Sequence, residues 1–328
     1  MKIILLYAFV FILFVVSPLF QEDLTITQIP QLDPNSPSKL ADFRITFLKK
    51  WTNSCYDPNG NEQDYLYRMV TGTDLDTVLI DIVNRKITTW NMYGGLKLSK
   101  KFQAALEVNY KSIIDEIKRT RQDPLDPDKK VTDTYTRNNE GMDNVYLSFF
   151  YFPPTSPLTN GFLTIKLPTT SLDTDIEYIL AEKQLDLHFG AFGMTEFVSF
   201  LGIHYNLSYK HRLKYTELGL EQVPADQVFF ICSLFSRIKA VEISLQLTNR
   251  WDLGNSYIRK TDTSISEEMM LPITRLSQVD PQLTLCLSKK LKLYIQSQIP
   301  LSGNACEKSF GVKLACVYTI IKKKAKSK

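Results

Sequence analysis

A chain of 328 residues has room for one large domain or two ordinary ones, and its hydrophobic share of 44% resembles that of a water-soluble protein. The net charge of +4 misleads, because Lys322, Lys323, Lys324, Lys326 and Lys328 close the chain and leave the remainder one charge negative. That balance excludes a basic nucleic-acid-binding surface, and past the N-terminus no apolar run is long enough for a membrane helix.

The first element is a targeting segment. Met1 and Lys2 precede fourteen apolar residues, Ile3 to Val16, and then Ser17-Pro18. One positive charge before a run of that length matches a secretory signal, taken as residues 1–21, and falls short of a full span. Residues 22–60, opening rich in Pro, Asp and Ser, read as an exported linker. A β-domain is expected over 61–321, with the lysine-rich tail at 322–328.

Within 61–321 one pattern recurs: some ten residues alternate apolar with polar, then turn. Alternate strand side chains point to opposite faces, so each segment has an oily and a wet side. Gln63 to Thr73 is a weak member and Ile87 to Leu98 an intermediate one. Phe102, Ala104, Leu106, Val108 and Tyr110 then alternate with Gln103, Ala105, Glu107, Asn109 and Lys111. Val145, Leu147, Phe149 and Tyr151 follow, then Leu163, Ile165 and Leu167 around Thr164 and Lys166. Leu185 to Ala191 encloses Asp186 and His188, and Phe197 to Tyr209 encloses His204. Gln227 to Phe235 is apolar on both faces. Val241-Glu242-Ile243-Ser244-Leu245-Gln246-Leu247-Thr248 is the clearest alternation. Leu283 to Leu287, Leu291 to Ile295 and Phe310 to Ile320 complete about twelve strands.

The joins sort by length. Short ones run over Lys97 to Lys101, Pro153 to Pro157, Gly193 to Thr195, up to Lys239, and Ser288 to Lys290. Long polar ones alternate with them: Ser112 to Met142, Pro168 to Glu182, His211 to Asp226, Arg250 to Ser277 and Pro300 to Lys308. Short turns on one side and long loops on the other are the habit of outer-membrane barrels. The expected fold is therefore all-β, an antiparallel transmembrane β-barrel of about twelve strands with both termini on the short-turn side.

In that register the lumen is lined by Glu107, Lys111, Lys166, Asp186, His188, His204, Glu242, Lys292 and Lys313, with Arg250 beside them. Both signs are present, so cross-strand ion pairs are expected to neutralise many of them. An Asp186–His188 pair facing a cavity has the makings of a general base. The outer-membrane phospholipase family sets a His-x-Ser pair on one strand, whereas His204 is followed by Tyr205 and Asn206, so no catalytic residue is assigned. The three histidines lack metal-ligand spacing, and neither metal nor cofactor is expected. The five cysteines, with no CxxC spacing, read mostly as unpaired small hydrophobes, and Cys55 with Cys306 is the one pair that could form a loop disulfide if geometry allows. The sequon at Asn206 falls inside a strand.

The order YGGLKLSKKFQAALEVNY, FLTIKLPTT, KQLDLHFGAFG, GIHYNLSYKHR and IPLSGN before a closing strand resembles outer-membrane transporter barrels grouped with phenol-degradation meta-pathway proteins. The resemblance covers about Tyr65 to Ile321 and implies a channel or uptake barrel, with no catalytic residues. One departure is the end of the chain, where Thr319, Ile320, Ile321 and lysines stand in place of a terminal aromatic. The expectation is an outer-membrane channel for small solutes, hydrophobic or aromatic ones included, whose partners are the lipid bilayer and the solute. The alternative is an exported soluble sandwich that binds an apolar ligand or a protein partner.

Overall fold

The computed structural model describes residues 39–71, 78–123, 126–153, 159–169, 184–217, 220–260, 268–271 and 273–321. The expected signal segment and lysine tail lie outside them. In chain order the strands are β1 (Lys39–Tyr56), β2 (Glu62–Gln63), β3 (Tyr67–Thr71), β4 (Val78–Lys97), β5 (Phe102–Asp123), β6 (Asp126–Tyr151), β7 (Asn160–Leu167), β8 (Asp186–Val198) and β9 (Leu201–Arg212). There follow β10 (Tyr215–Glu217), β11 (Leu220–Val223), β12 (Gln227–Ile238), β13 (Val241–Asp252), β14 (Ser256–Lys260), β15 (Glu268–Leu271), β16 (Arg275–Cys286), β17 (Leu291–Asn304) and β18 (Glu307–Ile321).

Twelve of these form the wall, each antiparallel to its neighbours, in the order β1-β18-β17-β16-β13-β12-β9-β8-β7-β6-β5-β4. β4 pairs back onto β1, from Ala41↔Leu96 to Thr52↔Arg85, and closes the ring. Closure leaves no sheet edge around the ring, which is how a β-structure satisfies its backbone without water. The sandwich alternative is thereby overturned.

Side-chain alternation sets the two faces. Phe43, Ile45, Met92, Leu96, Leu106, Phe149, Phe189, Leu207, Leu247 and Leu314 all stand exposed on the outer wall. The intervening positions are buried and mostly polar: Asp42, Arg44, Thr46, Asn91, Glu107, Asn109, Thr164, Ser244 and Thr248. An apolar surface this continuous marks a membrane or partner interface rather than a face meant for water.

The number of wall strands matches expectation, but one strand differs. Lys39–Tyr56 lies in the stretch read as linker, yet it forms β1 and pairs with both β18 and β4. The Gln63 to Thr73 segment supplies only β2 and β3 at the long-loop end. The short turn expected at Gly193 to Thr195 falls instead at Ser199-Phe200, because β8 continues to Val198. The long join expected over Pro300 to Lys308 contracts to Ala305-Cys306, with Ala305 at φ 49°. Ser112 to Met142 is mostly strand. β4, β5 and β6 have 20, 22 and 26 residues, where a bilayer crossing needs about 9–11. Their excess stands clear of the ring, steadied by β3 and by an apolar cluster of Leu66, Ile82 and Ile117. A second sheet, β10-β11-β14-β15, joins two of the long loops through the β11–β14 ladder.

The wall has one fault. The β17–β18 ladder runs from Leu291↔Tyr318 to Gln298↔Gly311 and stops. Beyond it β17 stays with β16 as far as Arg275↔Asn304, while β18 stays with β1 as far as Cys55↔Glu307. Pro300, which has no N–H to donate, sits where the two part.

Candidate functional site

The buried face of the ring carries the chemistry. Glu107 on β5 accepts from Arg44 Nη2 at 3.3 Å, an ion pair that spans β4. Arg44 in turn lies over the Tyr93 ring, 4.7 Å from its centroid. Lys111 pairs with Asp143 on β6 at 2.9 Å. Lys166 Nζ lies 3.1 Å from Asp186, and Lys210 Nζ on β9 lies 2.9 Å from the same carboxylate oxygen. Glu242 is held by Arg237 at 2.7 Å, and Arg237 also reaches Glu196 at 3.5 Å. Lys313 is enclosed by the charges of Arg44, Glu107, Asp280 and Lys50. Lys292 is half-buried, with no carboxylate in ion-pair contact among the described residues. Arg250 is buried on the same side of β13 as Glu242.

The histidines answer the question of a general base. His188 Nε2 hydrogen-bonds Ser208 Oγ at 2.8 Å and packs edge-on against Phe162. Asp186 faces its two lysines, so the structure brings His188 to Ser208 rather than to Asp186. The pair lacks the acid that would orient the imidazole for nucleophile activation. His204 packs against Phe235, ring centroids 4.5 Å apart. No group of three or more His, Cys, Asp or Glu side chains is arranged for a metal among the described residues. Cys55 and Cys306 remain thiols. Cys306 packs with Tyr56 and Leu276 and donates to the Arg275 carbonyl at 3.3 Å.

Several interior residues went unread in the sequence. The tightest centre is Arg85, whose Nε and Nη2 grip Asp115 at 2.7 and 3.0 Å while Nη1 meets Glu307 at 2.5 Å. Arg85 is on β4 and Glu307 on β18, so this contact bridges the whole width of β1. Arg85 keeps the inward parity of Ile87, Thr89, Asn91 and Tyr93, but it precedes the segment read as a strand, which began at Ile87, and the bulge between Ile82 and Asn84 lies just beyond it. Asp280 accepts from Gln278, Gln246 and Thr248.

Toward the short turns the lining turns apolar. Phe150, Phe162, Phe192, Tyr93 and Ala105 form a buried cluster, joined by Phe152, with Phe150 and Phe192 edge to face at 6.2 Å. The interior therefore has two layers on its β4–β8 side, paired charges in the middle and stacked rings near the turns. Among the described residues of this interior, the one His–Ser contact, His188–Ser208, has no acid bonded to its imidazole.

No family model matches the sequence, and no curated protein matches it. Solved structures do. A FadL homologue from Pseudomonas aeruginosa superposes over 87% of this chain and 91% of its own, at 8% identity and a TM-score of 0.39. An outer-membrane channel from Pseudomonas putida F1 superposes over 89% of this chain and 99% of its own, at 10% identity and a TM-score of 0.58. At that identity the likeness is one of fold: the closed twelve-stranded barrel of this chain superposes on that channel over nearly the channel's whole length.

Proposed function

We propose that the chain is an outer-membrane channel for small solutes, exported by its N-terminal segment. The observation that carries this reading is the pairing of a closed ring with opposed faces, aliphatic and aromatic outside, hydrogen-bonded and ion-paired inside. A polar lining behind an apolar wall is what a protein needs when lipid surrounds it and water enters it. Twelve strands enclose a space between the filled eight-stranded barrels and the open sixteen-stranded porins.

The lining sets the character of the passage. Positive and negative groups neutralise one another at Arg44–Glu107, Lys111–Asp143, Lys166–Asp186 and Arg237–Glu242, which favours no ion strongly. The aromatic cluster of Phe150, Phe162 and Phe192 near the short turns supports a hydrophobic or aromatic solute, as does the resemblance to phenol-degradation transporters. Glu107, Lys111, Lys166, Asp186, His188, His204, Glu242, Lys292 and Lys313 are the proposed lumen lining.

The test begins with mobility of the detergent-refolded protein in SDS, unboiled against boiled. A closed barrel resists cold SDS and shifts on boiling; the shifted protein is then taken to single-channel recording. A protein that shows no shift and stays dissolved without detergent sinks the proposal.

A further inference from the structure

The fault between β17 and β18 opens a recess of about 390 Å³ in the outer wall, within the range of about 300–1,000 Å³ typical of small-molecule sites. It is lined by Trp51, Lys86, Ile299, Pro300, Lys308 and Phe310, with Thr52 and Ser309 at its back. The register explains its chemistry. Phe310, Trp51 and Lys86 sit in one row across β18, β1 and β4, all on the outer side, and the rings of Trp51 and Phe310 stack 6.1 Å apart. In the next row toward the short turns Lys49 projects outward beside Trp51, its Nζ 5.5 Å from the ring centroid. Lys308 pairs with Glu62 of β2. Among the described residues neither Lys49 nor Lys86 has a carboxylate in ion-pair contact, and Glu116 stands one row farther out, opposite Asn84.

On the membrane reading above, on which this inference rests, this is the long-loop end of the wall. Trp and Lys together are interfacial residues, but a stacked aromatic pair, a gap in the ladder, Lys86 lining the recess and Lys49 one row below it amount to more than anchoring. We infer that the recess binds the phosphorylated headgroup of an outer-leaflet lipid. Lys86 and, one row nearer the short turns, Lys49 take the phosphate, Trp51 and Phe310 flank the headgroup, and the acyl chains run on down the aliphatic wall below Lys49. A zwitterionic headgroup brings its own cation and gains little here. A free phosphate gains the lysines but leaves the aromatic shelf unused.

Native mass spectrometry of the refolded full chain, titrated with dioleoyl phosphatidic acid, dioleoyl phosphatidylcholine or inorganic phosphate, tests this. The phosphatidic acid adduct should dominate. Lys49→Gln/Lys86→Gln should weaken it roughly 25-fold, about fivefold for each lysine near an anionic surface, while Lys118→Gln, away from the recess, leaves it unchanged. Equal retention of the two lipids overturns the site, as does an adduct that survives the double substitution. Inorganic phosphate binding as tightly as the lipid makes it a plain anion site and overturns the lipid assignment. Cold-SDS mobility is read on every variant. A heat-shifting barrel that retains no phosphatidic acid sinks the site alone, whereas a chain soluble without detergent sinks the membrane reading and the site with it.

Discussion

Around β1 the ion pairs reach across a strand; at β13 the pair joins neighbours. Arg85 on β4 passes over β1 to Glu307 on β18, and Arg44 on β1 passes over β4 to Glu107 on β5. Glu242 on β13 meets Arg237 directly opposite on β12, with the guanidinium 42% exposed. β12 and β13 are successive strands joined by the two-residue turn at Lys239-Ala240, so their pairing is local. β1 meets a strand from the far end of the chain, a contact costly in loop-closure entropy. Charge at the seam is enclosed as tightly as at Lys166–Asp186: Arg85 and Asp115 side chains are 3% and 0% exposed, against 2% and 1% there. Enclosed pairs resist solvent screening, so they hold the last contact of the ring firmly.

The largest expected effect breaks the seam. Arg85→Ala removes the guanidinium that Asp115 and Glu307 share and leaves Asp115 with Arg137 at 3.8 Å, and removing one partner of a buried pair costs roughly 3–5 kcal/mol. Urea unfolding of the vesicle-inserted barrel, followed by loss of the cold-SDS form, measures it. Arg237→Ala, acting on a pair open to water, should cost under about 1 kcal/mol in the same assay. Equal losses at the two sites would remove the distinction between seam and hairpin.

The outer faces of the same strands give the next contrast. β13 presents Val241, Ile243, Leu245 and Leu247, whereas β1 presents Phe43, Ile45, Phe47 and then Lys49 and Trp51. Leu245→Arg puts a guanidinium in the middle of the apolar band at a cost of roughly 2–4 kcal/mol, and the yield of folded barrel in vesicles should collapse. Lys49→Leu should fold like the parent. If Leu245→Arg assembles normally, the register of β13 is wrong.

That contrast also says what the sequence could reveal. β13 was legible because each of its positions obeys the period of two. β1 was not, because Leu48 faces in and Lys49 faces out, and one apolar–polar exchange beside a second lysine spoils the alternation. Its role as closing strand depends on distant partners, as Ala41 has in Leu96 and Ile320, 55 and 279 residues away, which no local pattern encodes. The extended hairpin of β5 and β6 was hidden for another reason. Past Ser112 it stands beyond the apolar band, so Lys118, Arg119, Lys130 and Arg137 read as loop even though they lie in strands. For the interior, the period of two found the charged residues, but only coordinates supplied the partners Asp143, Lys210 and Arg237.

A smaller effect probes the lining itself. Glu242→Ala leaves the β12–β13 ladder intact and frees Arg237 from its closest carboxylate. Assembly should be unchanged. Single-channel current in asymmetric salt should move toward anions by a modest factor, because Glu196 still faces Arg237. Unaltered selectivity would place this pair away from the ion path.

The last contrast sets the enclosed seam against the wet rim. Asp226, just before β12, accepts from Tyr209 Oη, from the Arg212 N–H at 3.0 Å and from His211 Nδ1 at 3.0 Å, and so ties β9 to the loop that returns to β12. Partial burial opposes its ionisation, but the hydrogen bonds from Tyr209, Arg212 and His211 outweigh this and hold its pKa below the ordinary 3.8. A carboxyl with a depressed folded pKa contributes its stability above the unfolded value and loses it as pH falls through the folded one. The tie should therefore persist unchanged from neutral pH to about pH 5 and fail only below the ordinary aspartate range. Amide exchange over Tyr209 to Gln227 reads this directly, with β13 amides as the internal reference. Asp226→Asn should raise rim exchange at neutral pH and remove most of its acid dependence. Because β1 is held by long ladders to both β18 and β4, its amides should stay protected at an acidity where the rim has already opened. Simultaneous opening of rim and seam would mean that the loops and the ring unfold as one unit.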